Sequence, residues 1–304
     1  MREGRSRVAA EQQTQGVVTM ELKPRDEDLE LFGLTHTGLV RPDNQDHFLI
    51  GTLHRELVVH GTSLPAPDEL PVRGERFATF AVVADGVGGV VGGAAASRRA
   101  VETIAQYVQS TLRCFAAANP AHEPAFIDAL RDAALEADAA VRALGNEQRE
   151  YGPATTLTLA IGVWPRAYVL QVGDSRCYVH GEGKLRCLTR DQTVAQDLVD
   201  SGKLTAEEAA RSPFKNTLVS AIGGHHAAPV VTAVDQQHDS VFLLCSDGLT
   251  KHVGDDELAE CLGNLRSAEQ ACQSLLRQAL ERGGTDNITI VVGRARRAPA
   301  THPQ

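Results

Sequence analysis

Four aspartates share one sequence context: Asp85 in FAVVADGVGG, Asp174 in VLQVGDSR, Asp247 in FLLCSDGL and Asp286 in GGTDNITIVV. Three of them close an apolar run and the fourth opens one. A carboxylate so placed is carried by a strand yet projects at a sheet edge, where several can converge without crossing a hydrophobic core. Hard divalent cations take such oxygen ligands, because carboxylates supply charge as well as coordination. Asp-Gly also ends strands for a simpler reason, since both residues suit turns, and the context alone leaves the two readings open. Arg41, in HTGLVRPDNQDHFLI, carries a planar fork that binds two phosphate oxygens and keeps its charge at any accessible pH. Beside a metal cluster it would clamp a phosphorylated substrate; by itself it would be a surface residue.

Other chemistries find less support. The run DGVGGVVGGAAAS has neither GxxxxGK[ST] nor a GxGxxG followed by a ribose-binding acid in a βαβ unit, so it does not read as a nucleotide loop. Its small residues let a loop bend closely and then open a helix. His225 and His226 adjoin each other with no spacing to a further ligand that would define a zinc site. Cys177, Cys187 and Cys245 lie on or near strands without a partnered histidine motif, and packing accounts for them.

The elements that must carry the aspartates follow from periodicity. DHFLIGTL and RFATFAVVAD read as strands separated by the turn-rich loop GTSLPAPDELPVRGE. Val101, Ile104, Ala105, Val108 and Leu112 recur at helical spacing, as do Phe126, Leu130, Ala133, Ala137, Val141 and Leu144. TTLTLAIGVW, AYVLQVGD and SRCYVHG then read as adjacent antiparallel strands. Thr205 and Glu208 form a T-x-x-E cap on a short helix within a polar, flap-like insertion, and Ser267 and Gln270 open a second helix between the strands VFLLCSDG and NITIVV. Strands and helices in blocks favour α+β, with helices covering antiparallel sheets, over a doubly wound sheet.

With 42% hydrophobic and 23% charged residues, the chain can bury a sizeable core. A formal net charge of -9 argues against a broad basic surface for nucleic acid. No segment offers the ~18 apolar residues of a membrane span, and six cysteines without a CxxC pair or a secretory signal favour reduced thiols in a cytoplasmic protein. The expected organisation is a flexible N-terminal arm over residues 1–28, one domain over 29–293 with a flap at about 191–223, and a tail over 294–304.

Taken in order, GLVRPDNQD, VVADGVGG, GPATTLTL, VGDSRCY, LTRDQT, LLCSDGL and GGTDNITIVV resemble the metal-dependent serine/threonine protein phosphatases of type 2C, in their bacterial form, over roughly residues 33–293. The resemblance implies a four-layer αββα sandwich, two antiparallel sheets flanked by helices, with the site at one edge. It implies two core ions, Mn²⁺ or Mg²⁺, with Asp85 bridging them, the Gly86 carbonyl on the second, and Asp247 and Asp286 on the first. Asp174 resembles a ligand, with Asp247, of a third, weaker ion. Arg41 resembles the phosphate-binding arginine, Asp46 an acidic residue that orients metal-bound water, and Asn287 the asparagine of the family's DN motif. The implied reaction is hydrolysis of phosphoserine and phosphothreonine monoesters by a metal-activated water, without a covalent phosphoenzyme. The implied partners are phosphorylated proteins made by a serine/threonine kinase, and a monomer is expected. Two positions depart from the family: Gln45 stands where an acid is usual, and Val87 stands where eukaryotic members carry a histidine. A catalytically silent, partner-binding module and a small-molecule phosphoesterase are the competing readings.

Overall fold

The computed structural model describes residues 22–56, 73–87, 92–111, 122–145 and 152–297. Its strands are β1 (Leu29–His36), β2 (His47–Glu56), β3 (Arg73–Ala84), β4 (Gly86–Val87), β5 (Ala154–Thr155), β6 (Leu157–Val163), β7 (Arg166–Val172), β8 (Arg176–Gly181), β9 (Lys184–Cys187), β10 (Val230–Asp235), β11 (Val241–Cys245) and β12 (Ile288–Ala295). Its helices are α1 (Gly93–Ser110), α2 (Glu123–Arg142), α3 (Val194–Asp200), α4 (Ala206–Arg211), α5 (Asp247–Thr250), α6 (Asp255–Gly263) and α7 (Ala268–Glu281).

Two five-stranded sheets form, in the orders β1-β12-β11-β8-β9 and β10-β7-β6-β3-β2, and every pairing in them is antiparallel. The central strands are apolar throughout because both faces are buried, and the two-residue period divides each one between two cores. In β3, Phe80, Val82 and Ala84 pack with Ile104 of α1 and Leu130 of α2, whereas Ala81 and Val83 face the other sheet. In β11, Leu243 and Cys245 pack with Leu258 of α6 and Leu275 of α7, whereas Phe242 and Leu244 meet Val83, Val169 and Val291 in the seam between sheets. The layers are therefore helices, sheet, sheet, helices, the αββα sandwich expected from the sequence.

One expectation fails in a way that bears on function. β6 and β7 pair as neighbours, but β8 does not continue their sheet; it pairs with β11 and β9 in the opposite one. The chain crosses from one sheet to the other at residues 173–175. Gly173 makes the crossing with φ of 103°, and a Cβ there would stand 2.7 Å from Thr156 Cγ2, so the left-handed backbone and the close approach both call for glycine.

The ordered fold also reaches beyond the expected limits. Arg76, buried in the domain, donates to Asp26 at 2.8 Å and to the Pro24 carbonyl at 2.6 Å, and β12 runs on to Ala295 before Arg296 N donates to the Asp28 carbonyl at 2.8 Å. Residues 24–28 and 294–296 thus pack on the domain, where an arm and a tail were expected; residues 1–21, 298–304 and most of the loop at 61–75 lie outside the described residues.

The inter-sheet seam is built from apolar side chains of both sheets, which makes its centre sensitive to truncation. Leu244, 2% exposed, should cost ~2–5 kcal/mol when changed to Ala, through lost burial plus the cavity left behind. Urea unfolding checks this, and a loss below ~1 kcal/mol would mean that the two sheets close over the gap.

Candidate active site

All four strand-end aspartates line one cavity of about 920 Å³ at an edge of the sandwich, together with Arg41, Gln45, Gly86, Val87 and Lys251. Asp85 follows β3 with the parity of Ala81 and Val83, which directs it into the gap between the sheets. Asp174 stands in the crossover between sheets, Asp247 opens α5 after β11, and Asp286 precedes β12. Asp46, just ahead of β2, is 3% exposed and accepts from Thr289 Oγ1 at 2.7 Å.

Backbone and amide bonds fix these positions. The Asp85 carbonyl accepts from Thr155 Oγ1 and from Thr156 N, each at 2.8 Å, while Asp85 N donates to Thr156 Oγ1 at 3.0 Å. Asn287 Oδ1 accepts from Gln45 N at 2.8 Å, and its Nδ2 donates to the carbonyls of Thr37 at 2.8 Å and Asp43 at 2.9 Å. That one amide therefore holds the loop carrying Arg41 against β12. A Cβ on Gly38 would stand 2.1 Å from the Asp286 carbonyl oxygen, and one on Gly86 would stand 2.6 Å from Gly93 backbone atoms. The Gln45 side chain turns to the same place, its Oε1 lying 2.4 Å from where a Gly93 Cβ would be, at the amino end of α1.

Among the described residues no three acidic or histidine side chains close into a ready-made ion cage. Cationic groups of the protein stand between them instead. Lys251 Nζ lies 2.6 Å from Asp247 Oδ2 and 2.6 Å from Asp286 Oδ2. Arg41 grips Asp286 with both arms, Nε to Oδ1 at 2.7 Å and Nη2 to Oδ2 at 2.8 Å. The arginine expected to meet substrate is thus engaged with an expected metal ligand.

The remaining electrostatics are those of crowded like charge. Burial pushes Asp46 up to about 6. It pushes Asp174 up to about 8, with repulsion from Asp247 and Asp191 adding to it. Asp85 is raised well above the ordinary carboxylate range, first by burial and then by the charges of Asp46, Asp247 and Asp174. Asp247 is raised by burial against the pull of Lys251. For Asp286 burial acts upward too, but hydrogen bonds from Arg41 and Lys251 outweigh it and hold the group low. Asp46 Oδ1 and Asp247 Oδ1 are buried with no hydrogen-bond partner. Hard oxygen donors, unmatched negative charge and two orphaned carboxylate oxygens together fit a divalent cation.

Several residues escaped the sequence reading. Lys251 had a signal, four residues after Asp247 on one helical face. Thr155 and Thr156 lie within GPATTLTL, where their polarity in a strand-like run marked them out. Arg176, two residues after Asp174, grips Asp191 at 2.8 and 2.7 Å and so fastens the root of the flap. His225 and His226 are exposed and outside the cavity lining. Cys177 and Cys245 are buried as expected, whereas Cys187, at the end of an edge strand, is exposed.

A carboxyl whose pKa is higher in the folded protein than in the unfolded chain contributes stability below the unfolded value, near ~3.9, and loses it as pH rises through the folded value. For Asp174 the loss therefore runs up to about 8, and for Asp46 up to about 6. Asp286 has the opposite sign, its contribution vanishing only as pH falls below the ordinary carboxylate range. In chelator, the melting temperature of the wild type should fall as pH rises from about 5 to about 8. Asp174→Asn should flatten that fall and melt a few degrees higher at the upper end, equivalent to ~1–2 kcal/mol. Parallel melting curves for the two proteins would remove Asp174 from the repelling cluster.

A family model for protein phosphatase 2C matches residues 61–286. The serine/threonine protein phosphatase PstP of Mycobacterium tuberculosis is 34% identical over 224 residues, a match covering 71% of this chain and 40% of that protein, so the match spans about two fifths of the relative's length. The serine/threonine phosphatase stp of Listeria monocytogenes is 32% identical over 214 residues, covering 69% of this chain and 82% of the relative. The crystal structure of the M. tuberculosis phosphatase PstP/Ppp superposes with a TM-score of 0.71 at 27% identity, covering 88% of this chain and 99% of that one. The catalytic domain of PstP in complex with 2 manganese ions superposes with a TM-score of 0.68, again at 27% identity over 88% of this chain and 99% of that one. Matched by the family model over most of its length and more than 30% identical to these relatives, this chain belongs to the protein phosphatase 2C family.

Proposed function

We propose that this chain is a metal-dependent protein serine/threonine phosphatase. The observation that carries the reading is the gathering of Asp46, Asp85, Asp174, Asp247 and Asp286 with Arg41 at one edge of the sandwich, the first and last of these bonded directly to residues of β12 or to Arg41. Relatives described as serine/threonine phosphatases, one of them with manganese bound, support the substrate class and the ion.

In this reading Asp85, the Gly86 carbonyl, Asp247 and Asp286 hold two Mn²⁺ or Mg²⁺ ions, and Asp174 with Asp247 holds a third, weaker one. When bound, such ions acidify water and offset charge on the phosphoryl oxygens. The protein's own groups do the rest. Arg41 stands exposed at the mouth of the cavity and, on leaving Asp286, offers its fork to two phosphoryl oxygens. Asp46, with one oxygen held by Thr289 and the other unpartnered, accepts a hydrogen bond from the attacking water and aims it. Val87 lines the same cavity and offers no proton, so the serine or threonine oxygen takes its proton from water. Gln45 leaves the cavity one negative charge poorer than the family pattern.

The substrates of this reading are phosphorylated proteins supplied by a serine/threonine kinase, and the enzyme acts as a cytoplasmic monomer. Free, buried thiols at Cys177, Cys245 and Cys272 support a reducing compartment, and no described helix is long and apolar enough to cross a membrane.

Phosphate release from a phosphothreonine peptide, with Mn²⁺ and with chelator, tests the reading. Asp85→Asn and Asp247→Asn should each leave less than about a tenth of wild-type turnover at saturating Mn²⁺, a loss above ~1.4 kcal/mol in barrier, with the circular dichroism spectrum retained. A wild-type protein that is folded yet silent with Mn²⁺ would indicate a partner-binding module, and preference for a sugar phosphate would indicate a small-molecule phosphoesterase.

The flap should set substrate choice and not chemistry. Its helices α3 and α4 line a groove of about 680 Å³ that also meets Asp174, Asp247 and Asp286, so a peptide reaching the cavity passes along it. Exchange of residues 194–216 for the flap of another family member should change peptide preference severalfold while sparing a small aryl phosphate. Equal losses on both substrates would count against that division.

A further inference from the structure

Lys251 stands between the two carboxylates of the cavity that its charge best matches. Its ammonium lies midway between Asp247 Oδ2 and Asp286 Oδ2, 2.6 Å from each. These are the carboxylates that the reading above assigns to one ion. A divalent ion shared by those two oxygens, at ~2.0–2.2 Å from each, would lie close enough to Nζ for the two positive charges to repel strongly. Asp286 is otherwise saturated, with Arg41 on both oxygens and Asn287 N on Oδ1 at 3.0 Å.

We propose that Lys251 is a built-in counter-ion of the metal site, which holds Asp247 and Asp286 together in the metal-free protein and must leave them for the ion to bind. It therefore sets the metal affinity, acting as a competitor tethered four residues from one ligand. The stem is long enough to withdraw, and there is room for it. Lys251 borders both the acidic cavity and the neighbouring groove beneath α3 and α4, which is lined by Thr193, Gln196 and Asn216. Lys251 is also held at 25% side-chain exposure, so its withdrawal changes its access to solvent. The inference rests on the metal-dependent reading, and its test separates the two.

Mn²⁺ binding by calorimetry should be at least about tenfold tighter for Lys251→Met than for the wild type, because methionine keeps the length and removes the competing charge. In chelator the same variant should melt several degrees below the wild type, as Asp247 and Asp286 lose their shared cation. If the variant does not stay folded without metal, the wild type alone answers. Amine-directed reductive methylation of Lys251, followed by mass spectrometry, should speed up severalfold when Mn²⁺ is added. Equal affinities in the two proteins, or in the second case an unchanged labelling rate with Mn²⁺ bound, would overturn the proposal and leave the phosphatase reading standing. Binding by Lys251→Met alone would support it in its strongest form, and absence of Mn²⁺ binding in both would overturn both readings.

Discussion

Like charge withdrawn from water repels strongly, and in this protein Asp46, Asp85, Asp174, Asp247 and Asp286 are brought to one end of the seam between two sheets. The arrangement of the surrounding elements answers that repulsion. Lys251 and Arg41 are drawn into the cavity and, against the effect of burial, hold Asp286 below the ordinary carboxylate range, while burial pushes up Asp85, Asp174, Asp46 and, despite its contact with Lys251, Asp247. In the proposed phosphatase reading this concentration of negative charge would serve to take divalent ions out of water. In that reading the instability of the cluster in isolation and its affinity for metal would be one property.

Beyond the cations at Asp247 and Asp286, backbone anchoring keeps the cluster from relaxing apart. Asp85 is locked through its own peptide groups by Thr155 and Thr156. The Arg41 loop is locked to β12 by the Asn287 amide. Asp174 is fixed by the crossover, where Gly173 N accepts no freedom: it donates to Gln192 Oε1 at 2.8 Å, and the Gly173 carbonyl receives Gln192 N at 3.1 Å. Neutral hydrogen bonds of this kind contribute only ~1 kcal/mol each. Several converge on each ligand-bearing segment, and they are buried where their loss leaves unpaired groups.

Much of this was legible in the sequence, and the misses have physical causes. Apolar runs such as FAVVA and FLLC announce strands buried on both faces, and the i, i+3, i+4 spacing of Phe126, Leu130 and Ala133 announces α2. Periodicity says nothing about which strand pairs with which, so SRCYVHG reads as the next strand of one sheet when it lies between β11 and β9 in the other. The acidic residues were legible because they stand at strand ends in an ordered set of motifs. Their cationic neighbours were not, since the contact of Lys251 with Asp286 spans 35 positions and exists only once β11 and β12 are side by side. Thr193, a cap whose Oγ1 accepts from Gln196 N, opened a helix that the polar composition of the flap concealed.

The flap shows how the protein keeps chemistry and recognition apart. Its root is stiff: Arg176 grips Asp191 with two nitrogens and gives a third bond to the Tyr178 hydroxyl at 2.9 Å, which itself donates to Asp255 at 3.0 Å. That chain of bonds runs from the crossover strand through the sheet to the start of α6. Removing one partner from such a partly buried charged network leaves the other unpaired, at a cost of ~1–3 kcal/mol. The lip is the opposite, for α4 has no buried residue and is held by its own capping box. An isolated antiparallel bridge at Thr193 and Leu218 returns the flap to the core, through Val194 N to the Thr217 carbonyl at 2.8 Å and Val219 N to the Gln192 carbonyl at 2.9 Å. Gln192 therefore serves both the flap and the Asp174 crossover, bonded to Gly173 on one side and to Val219 on the other, so a change at Gln192 reaches both.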